Sequence, residues 1–343
     1  MSSKNIVVGL VYRNFLAYGH DMYSHVGLGI NAYHTAKVLR ENGVSAYPVS
    51  VWNVDDVLKA IAQRPYTDIV IDALWIGKED LTRIVQSFPD IHFFVRSHSQ
   101  IGFLQVEPGA IKILRDSLSL QESELNLHVA GNSPRFRHFV QGVYNQDCVL
   151  LPNLYHLERP ANRPHHHNGS HRTIRVASFG SMRHLKMHSV AAAGALLLAQ
   201  SRGRDLEFHL SIHREEHGAG SLHSIRNMFT GLPWAKLVED PWTDWGDFRR
   251  LVSHMDLFIQ VSATETFNLS TADAVAEGVP CVVSAAIDWL PSDFHADIDD
   301  AQDVARVGWR LVSDPLASEE ACEALRKYQR EAVTTWKRQL KAA

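Results

Sequence analysis

Along this chain, short continuous apolar runs alternate with stretches whose apolar residues recur every three or four positions. The runs Ile6–Val11, Ser45–Val51, Ile69–Leu74 and Ile91–Val95 read as buried parallel strands, His128 to Asn132 looks like another strand end, and the segment closes with Cys148-Val-Leu-Leu-Pro152-Asn153. Between them the periodicity predicts helices over about 13 residues from Gly27, over Val54–Gln63, over Lys78–Phe88 and from Pro134 to Val140. After a Pro-, Asn-, Gly- and His-rich stretch from Glu158 to His171, the alternation resumes. Strands are expected at Ile174–Phe179, Leu206–Ser211, Leu237–Val238, Asp256–Val261 and Cys281–Ser284. Helices are expected at Met187–Gln200, Leu222–Gly231 and Trp245–His254, with a long terminal one at Ser318–Leu340. Strand–helix alternation on this scale predicts an α/β chain with two doubly wound parallel sheets. Two such sheets facing each other would leave a cleft between them.

One connection stands out. Between the strands ending at Val261 and starting at Cys281 lies Ser262-Ala-Thr-Glu265-Thr266-Phe267-Asn268-Leu269-Ser270, then a short helix. Ala272, Val275, Ala276 and Val279 fall at i, i+3, i+4 and i+7, an apolar stripe. Asn268 or Ser270 is placed to cap the helix, and Gly278 with Pro280 to stop it. A polar turn running into a helix N-terminus offers outward backbone N–H groups and partial positive charge, hence an anion site. Glu265 and Asp273 would flank it.

Other candidates are local. Gly27-Leu-Gly29 opens a helix after the first strand and its intervening loop, where the lack of a β-carbon lets backbone approach a ligand. His98 follows the strand ending at Val95, at the edge where parallel sheets bind ligands. Gly180-Ser-Met-Arg183-His-Leu-Lys186 also follows a strand, and two cations three apart are expected on one face of an incipient helix, a clamp suited to a diphosphate.

Composition narrows the setting. At 343 residues, two domains are expected, and 45% hydrophobic with 21% charged residues is ordinary for globular proteins. The net charge of −4 argues against strong nonspecific nucleic-acid binding. Three dispersed cysteines form no disulfide or metal pattern, and His165-His166-His167 with His171 lacks the carboxylate or thiolate of a built site, so no metal is expected. His213-Arg-Glu-Glu-His217 lacks the zinc-protease spacing and reads as a surface loop. The opening apolar run is too short for a signal core or a membrane span, so a soluble, cytoplasmic protein without stable membrane insertion is the expectation.

In this order, the elements resemble a retaining glycosyltransferase of GT-B architecture, close to family 4. Gly27 and Gly29 look like that family's N-terminal glycine loop. Asn132-Ser133 and Leu151-Pro152-Asn153 look like the landmarks closing its first domain. Gly180, Arg183 and Lys186 resemble its diphosphate element, and Glu265 with Asp273 its two acids separated by seven residues. The chain departs from the pattern at Asp273, where glutamate is usual, at Asn268, where glycine usually follows Phe, and in the short Arg183–Lys186 spacing.

The resemblance implies two Rossmann-like domains, residues 1–153 for the acceptor and 154–317 for the nucleotide sugar, with a terminal helix, 318–343, crossing back to the first. It implies sugar transfer from a nucleoside-diphosphate donor to an acceptor hydroxyl, with no separate cofactor. Arg183, Lys186 and the N–H groups of Phe267, Asn268 and Leu269 would stabilise the leaving diphosphate. Glu265 would bind donor sugar hydroxyls, Asp273 the ribose and His98 the sugar near the reacting carbon. The acceptor would lie near Tyr12, Arg13, Asn14, Tyr18, His20 and Tyr23, which suit a saccharide, a polar small molecule or a nucleobase. Arg135, Arg137 and His138 suit the phosphates of a DNA acceptor carrying a hydroxymethylated base, which the net charge disfavours. An epimerase or phosphorylase of the same architecture is the competing reading, and a catalytically dead binding module a third.

Overall fold

The computed structural model describes residues 6–14, 27–107, 109–123, 125–158, 172–212 and 219–342. The chain divides into two compact units, Met1–His156 with Gln329–Ala343, and Leu157–Tyr328. Tyr18, His20, Tyr23, His165 to His167, His171, His213 and His217, singled out above, lie outside the described residues.

The first unit is built on β1 (Val7–Arg13), β2 (Ser45–Val51), β3 (Asp68–Asp72), β4 (His92–Ser97), β5 (Leu127–Gly131) and β6 (Val149–Leu150). All pairings are parallel, in the order β2-β1-β3-β4-β5-β6. Connecting helices are α1 (Gly27–Glu41), α2 (Val54–Ala62), α3 (Lys78–Ser87), α4 (Ile101–Leu104), α5 (Ala110–Glu122) and α6 (Pro134–Tyr144). The strands read as continuous apolar runs because both faces are covered. Ile69, Ile71, Phe93 and Val95 pack with Val57, Ile61, Leu81 and Ile84 from α2 and α3, while Val129 packs with Leu114, Leu118, Phe136 and Val140. The chain goes from β1 outward to β2, then returns to β3 on the other side of β1. That reversal is a switch point, where the carboxyl ends of parallel strands leave room for ligands.

The second unit contains β7 (Thr173–Ser178), β8 (Asp205–Ser211), β9 (Ala235–Asp240), β10 (Leu257–Gln260) and β11 (Cys281–Val283) in the parallel order β11-β10-β7-β8-β9. Its helices are α7 (His188–Ser201), α8 (Ala219–Phe229), α9 (Trp245–Val252), α10 (Leu269–Ala276) and α11 (Ala301–Ser313). Its switch point falls between β7 and β10, so the connections after those two strands meet. The last helix, α12 (Ala317–Ala342), supplies residues to both units, the first from Gln329 onward.

Three helices have no counterpart in the sequence reading: α4, α5 and α11. The last carries a clear stripe, Val304, Val307, Gly308 and Leu311, all buried. It packs closely on α7, because a β-carbon on Gly194 would collide with Val304 and one on Gly308 would come within 3.0 Å of Leu198 and Leu257. One expectation is corrected. The incipient helix expected to carry Arg183 and Lys186 on one face is a single 3-10 turn, with Arg183 just outside it. Lys186 ends a 3-10 turn at His184–Lys186, Arg183 is extended before it, and α7 starts only at His188. Met187 separates the two segments in a left-handed conformation, φ 54°, which redirects the backbone between them.

Candidate functional site

In the second unit, the connections after β7 and β10 converge. The Ala263 N–H donates to the Leu185 carbonyl at 2.8 Å, fastening one to the other. Across that junction Lys186 forms an ion pair with Glu265, both largely buried. The Asn268 side-chain amide donates to Glu265 Oε1 at 2.9 Å, and Ser262 also bonds the carboxylate. Burial alone would raise the Glu265 pKa. Lys186, with the bonds from Asn268 and Ser262, outweighs it and holds the carboxyl below its ordinary range.

Asn268 does more than reach Glu265. It is the residue before α10, and its Oδ1 accepts from the Thr271 N–H at 2.8 Å and from the Thr271 hydroxyl at 3.0 Å. Its φ of 67° is left-handed, a region favouring glycine and tolerating asparagine. That accounts for asparagine where the family resemblance leads one to expect glycine. The preceding Phe267 is buried against Trp289 and Tyr328, and Trp289 Nε1 donates to its carbonyl at 2.7 Å. The turn is therefore held on both sides, with Thr266 partly exposed between Glu265 and Phe267.

The loop after β7 has its own anchor. His188, buried at the start of α7, lies between the Ser178 hydroxyl, 2.9 Å from Nδ1, and the Ser181 carbonyl, 3.4 Å from Nε2. A carbonyl can only accept, so Nε2 carries the proton and Nδ1 takes one from Ser178. Burial, helped by the neighbouring Lys186, pushes the His188 pKa down to about 4, so the ring is neutral at pH 7. Gly180 has φ 126°, which a side chain would strain, and the Lys186 stem passes 4.0 Å from where its β-carbon would stand. Arg183, partly exposed, lies on the same loop.

Asp273 lies on the buried body of α10 and accepts from Trp245 Nε1 at 3.0 Å. Arg249 stands over the Trp245 ring and pairs with Glu277 at 2.7 Å, so α9 and α10 are braced through this carboxylate. The sequence did not single out Trp245.

In the first unit, Gly27 and Gly29 form the first turn of α1, Gly27 exposed and Gly29 buried. His98 stands beyond β4, its Nε2 3.0 Å from Asp72 Oδ1 and its Nδ1 3.5 Å from the Asn132 amide nitrogen. Asn132 also donates to Asn153 at 3.2 Å, and Ser133 caps α6, so the two landmark segments meet. Burial lowers the His98 pKa, Asp72 opposes that and Arg96 adds to it, leaving the ring below its ordinary 6.5. Asp72 and Arg96, both fully buried, were not foreseen. Each is a charge at the carboxyl end of a strand whose middle is apolar, a faint signal on its own.

Among the described residues no group of three or more His, Cys, Asp or Glu is placed to hold a metal ion. None of their helices is long and apolar enough to cross a membrane.

Residues 136–287, just under half of the chain, match the family described as Family 4 Glycosyltransferase in conflict systems. No curated protein is matched by the sequence. Among solved structures, a sucrose-phosphate synthase from Thermosynechococcus elongatus superposes with TM-score 0.68 at 13% identity, covering 97% of this chain and 98% of that one. A glycosyltransferase from Rickettsia africae ESF-5 gives 0.66 at 12% identity, with 98% of each chain covered. A trehalose-6-phosphate synthase, OtsA, gives 0.67 at 10% identity, covering 98% and 99%. The fold is therefore that of the GT-B glycosyltransferases, two Rossmann-like doubly wound domains. Within that class the chain resembles family 4, a likeness carried in sequence by the stretch containing Lys186, Glu265 and Asn268.

Proposed function

We propose that this protein is a glycosyltransferase that moves a sugar from a nucleoside-diphosphate sugar to an acceptor hydroxyl. The observation that carries the reading is the Lys186–Glu265–Asn268 cluster at the β7–β10 switch point, against the N-terminus of α10. A cation, oriented amides and a helix start, fastened together before any ligand arrives, suit a leaving diphosphate whose charge grows as the glycosidic bond breaks. Arg183 and Lys186 carry the cationic part, and the N–H groups of Phe267, Asn268 and Leu269 the dipolar part. Glu265 takes sugar hydroxyls once Lys186 turns toward phosphate. Asp273, oriented by Trp245, takes the ribose. The glycine pair of α1 serves the same donor, and His98 the donor sugar. Retention of configuration follows from the resemblance to family 4.

One structural relative, Anabaena HepE, is described in complex with UDP-glucose, which makes UDP-sugars the first donors to try. The acceptor belongs with the first unit, where Tyr12 and Arg13 end β1 and Asn14 follows, and a saccharide or small polar molecule is favoured over DNA. The test is a panel of nucleotide sugars screened by thermal shift, followed by release of nucleoside diphosphate with and without acceptors. Release that needs an acceptor, and that Lys186→Ala abolishes, supports transfer. Conversion of the donor sugar with no acceptor present would establish the epimerase reading instead.

A further inference from the structure

Asp72 and Arg96 take no part in the reaction proposed above, yet both are fully buried beside His98. They are register partners on β3 and β4. Arg96 Nε donates to Asp72 Oδ1 at 2.7 Å and Nη2 to Oδ2 at 3.0 Å, a two-toothed grip that stops the carboxylate from rotating. The guanidinium is itself held. Nη1 donates to the Leu151 carbonyl at 3.3 Å, and the Trp336 ring lies 5.2 Å from Cζ. Trp336 is fixed in turn by its Nε1 donating to the Pro152 carbonyl at 2.7 Å. Ala73, next to Asp72, has φ 70°, a left-handed conformation that persists in a β-carbon-bearing residue only where its surroundings over-determine it.

Stability does not account for this arrangement. A buried ion pair is often no better than apolar residues of the same volume. What the pair does have is a third partner. Asp72 Oδ1 also receives His98 Nε2, and an ionised carboxylate can only accept. The proton of the neutral His98 ring therefore sits on Nε2, leaving Nδ1 as an acceptor. Asn132 Nδ2, a donor anchored on Asn153, stands at that side of the ring.

We propose that Asp72 and Arg96 are positioning residues that lock His98 in the Nε2-protonated tautomer, so that His98 meets a donor-sugar hydroxyl as a hydrogen-bond acceptor through Nδ1, the hydroxyl displacing the long 3.5 Å contact from the Asn132 amide. This rests on the reading of His98 as a sugar contact. The polarity it assigns is specific. A ring free to choose its tautomer would spend part of its time offering a donor where an acceptor is needed.

The decisive variant is Asp72→Leu with Arg96→Met, which removes both charges together and leaves neither buried alone. His98 is followed by nitrogen NMR on histidine-labelled protein, its signals assigned by their loss in His98→Gln. In the wild type, Nε2 should be protonated and Nδ1 not. In the folded double variant the ring should become a tautomer mixture, with kcat for transfer down about tenfold, the worth of one hydrogen bond, and donor KM nearly unchanged. An unchanged tautomer, or a changed tautomer with unchanged kcat, overturns the proposal. Should the double variant not fold, Asp72→Asn offers the ring an amide that can donate as well as accept and should loosen the tautomer too; a tautomer still fixed there overturns the proposal equally. Absence of any transfer by the wild type would defeat the glycosyltransferase reading, while the tautomer measurement would still decide the role of Asp72 and Arg96.

Discussion

Lys186 and Glu265 are 79 positions apart in sequence and form one ion pair at the junction of the β7 and β10 connections. The pair stores a cation and an anion in mutual restraint. A bound diphosphate would compete with Glu265 for Lys186, and the freed carboxylate would then be available to sugar hydroxyls.

Removing the cation should therefore do two things. Lys186→Met should weaken nucleoside-diphosphate binding by a factor of about 10 to 100, the worth of a charge-assisted bond, as read by calorimetry. It should also raise the Glu265 pKa, since burial is then less opposed, and lower the melting temperature. Adding Glu265→Leu should restore the melting temperature without restoring affinity. Unchanged affinity in Lys186→Met would remove Lys186 from the donor site.

His188 predicts a pH dependence of stability. Its folded pKa, about 4, is lower than the ordinary 6.5, so the unfolded chain binds the proton more readily. The stabilisation is complete above pH 6.5 and is lost as pH falls toward 4. The loss is on the order of 3 kcal/mol. Urea unfolding of His188→Gln, compared with the wild type across that window, should show a flatter profile. Parallel profiles would mean that His188 is not the neutral clasp between Ser178 and Ser181.

Asn268 should rank above glycine, and glycine above alanine. Both variants lose the amide bond to Glu265; beyond that, Asn268→Gly keeps the left-handed backbone and loses the cap, costing a further few tenths of a kcal/mol. Asn268→Ala loses the cap, about 1 kcal/mol, and adds about 1–2 kcal/mol of strain. Denaturant midpoints measure the order. Equal stability of the two variants would show that the backbone relaxes at this turn.

The contact between α7 and α11 can be tested by compensation. Gly194→Ala should destabilise by about 1–3 kcal/mol through overpacking against Val304. Adding Val304→Ala should recover part of that loss despite removing buried methyl groups. A double variant worse than the sum of the two single changes would contradict the close approach.

The alternation of buried strands and helices was readable because parallel strands covered on both faces leave unbroken apolar runs. The residues from Val261 to Pro280 were readable for a second reason: a polar turn, a cap and a stop lie within one short stretch. Asp72, Arg96 and Trp245 were not, since each acquires its meaning from a partner on another element. Lys186 was found as a cation, but its pairing with Glu265 depends on which strand lies next to β7. The helix at Ala301–Ser313 was legible in its stripe and simply missed. The position of Met187 was obscured because nothing in a methionine announces a left-handed turn.

The final helix has a consequence for how the protein is made. Trp336 covers Arg96, yet it is synthesised after all of residues 157–328. The second unit is contiguous and can complete its fold as it leaves the ribosome. The first cannot close over its buried charges until the last turns of α12 emerge. A nascent chain arrested before Trp336 should thus carry a finished second unit and a first unit that proteases still cut, although every strand of its sheet has already been made.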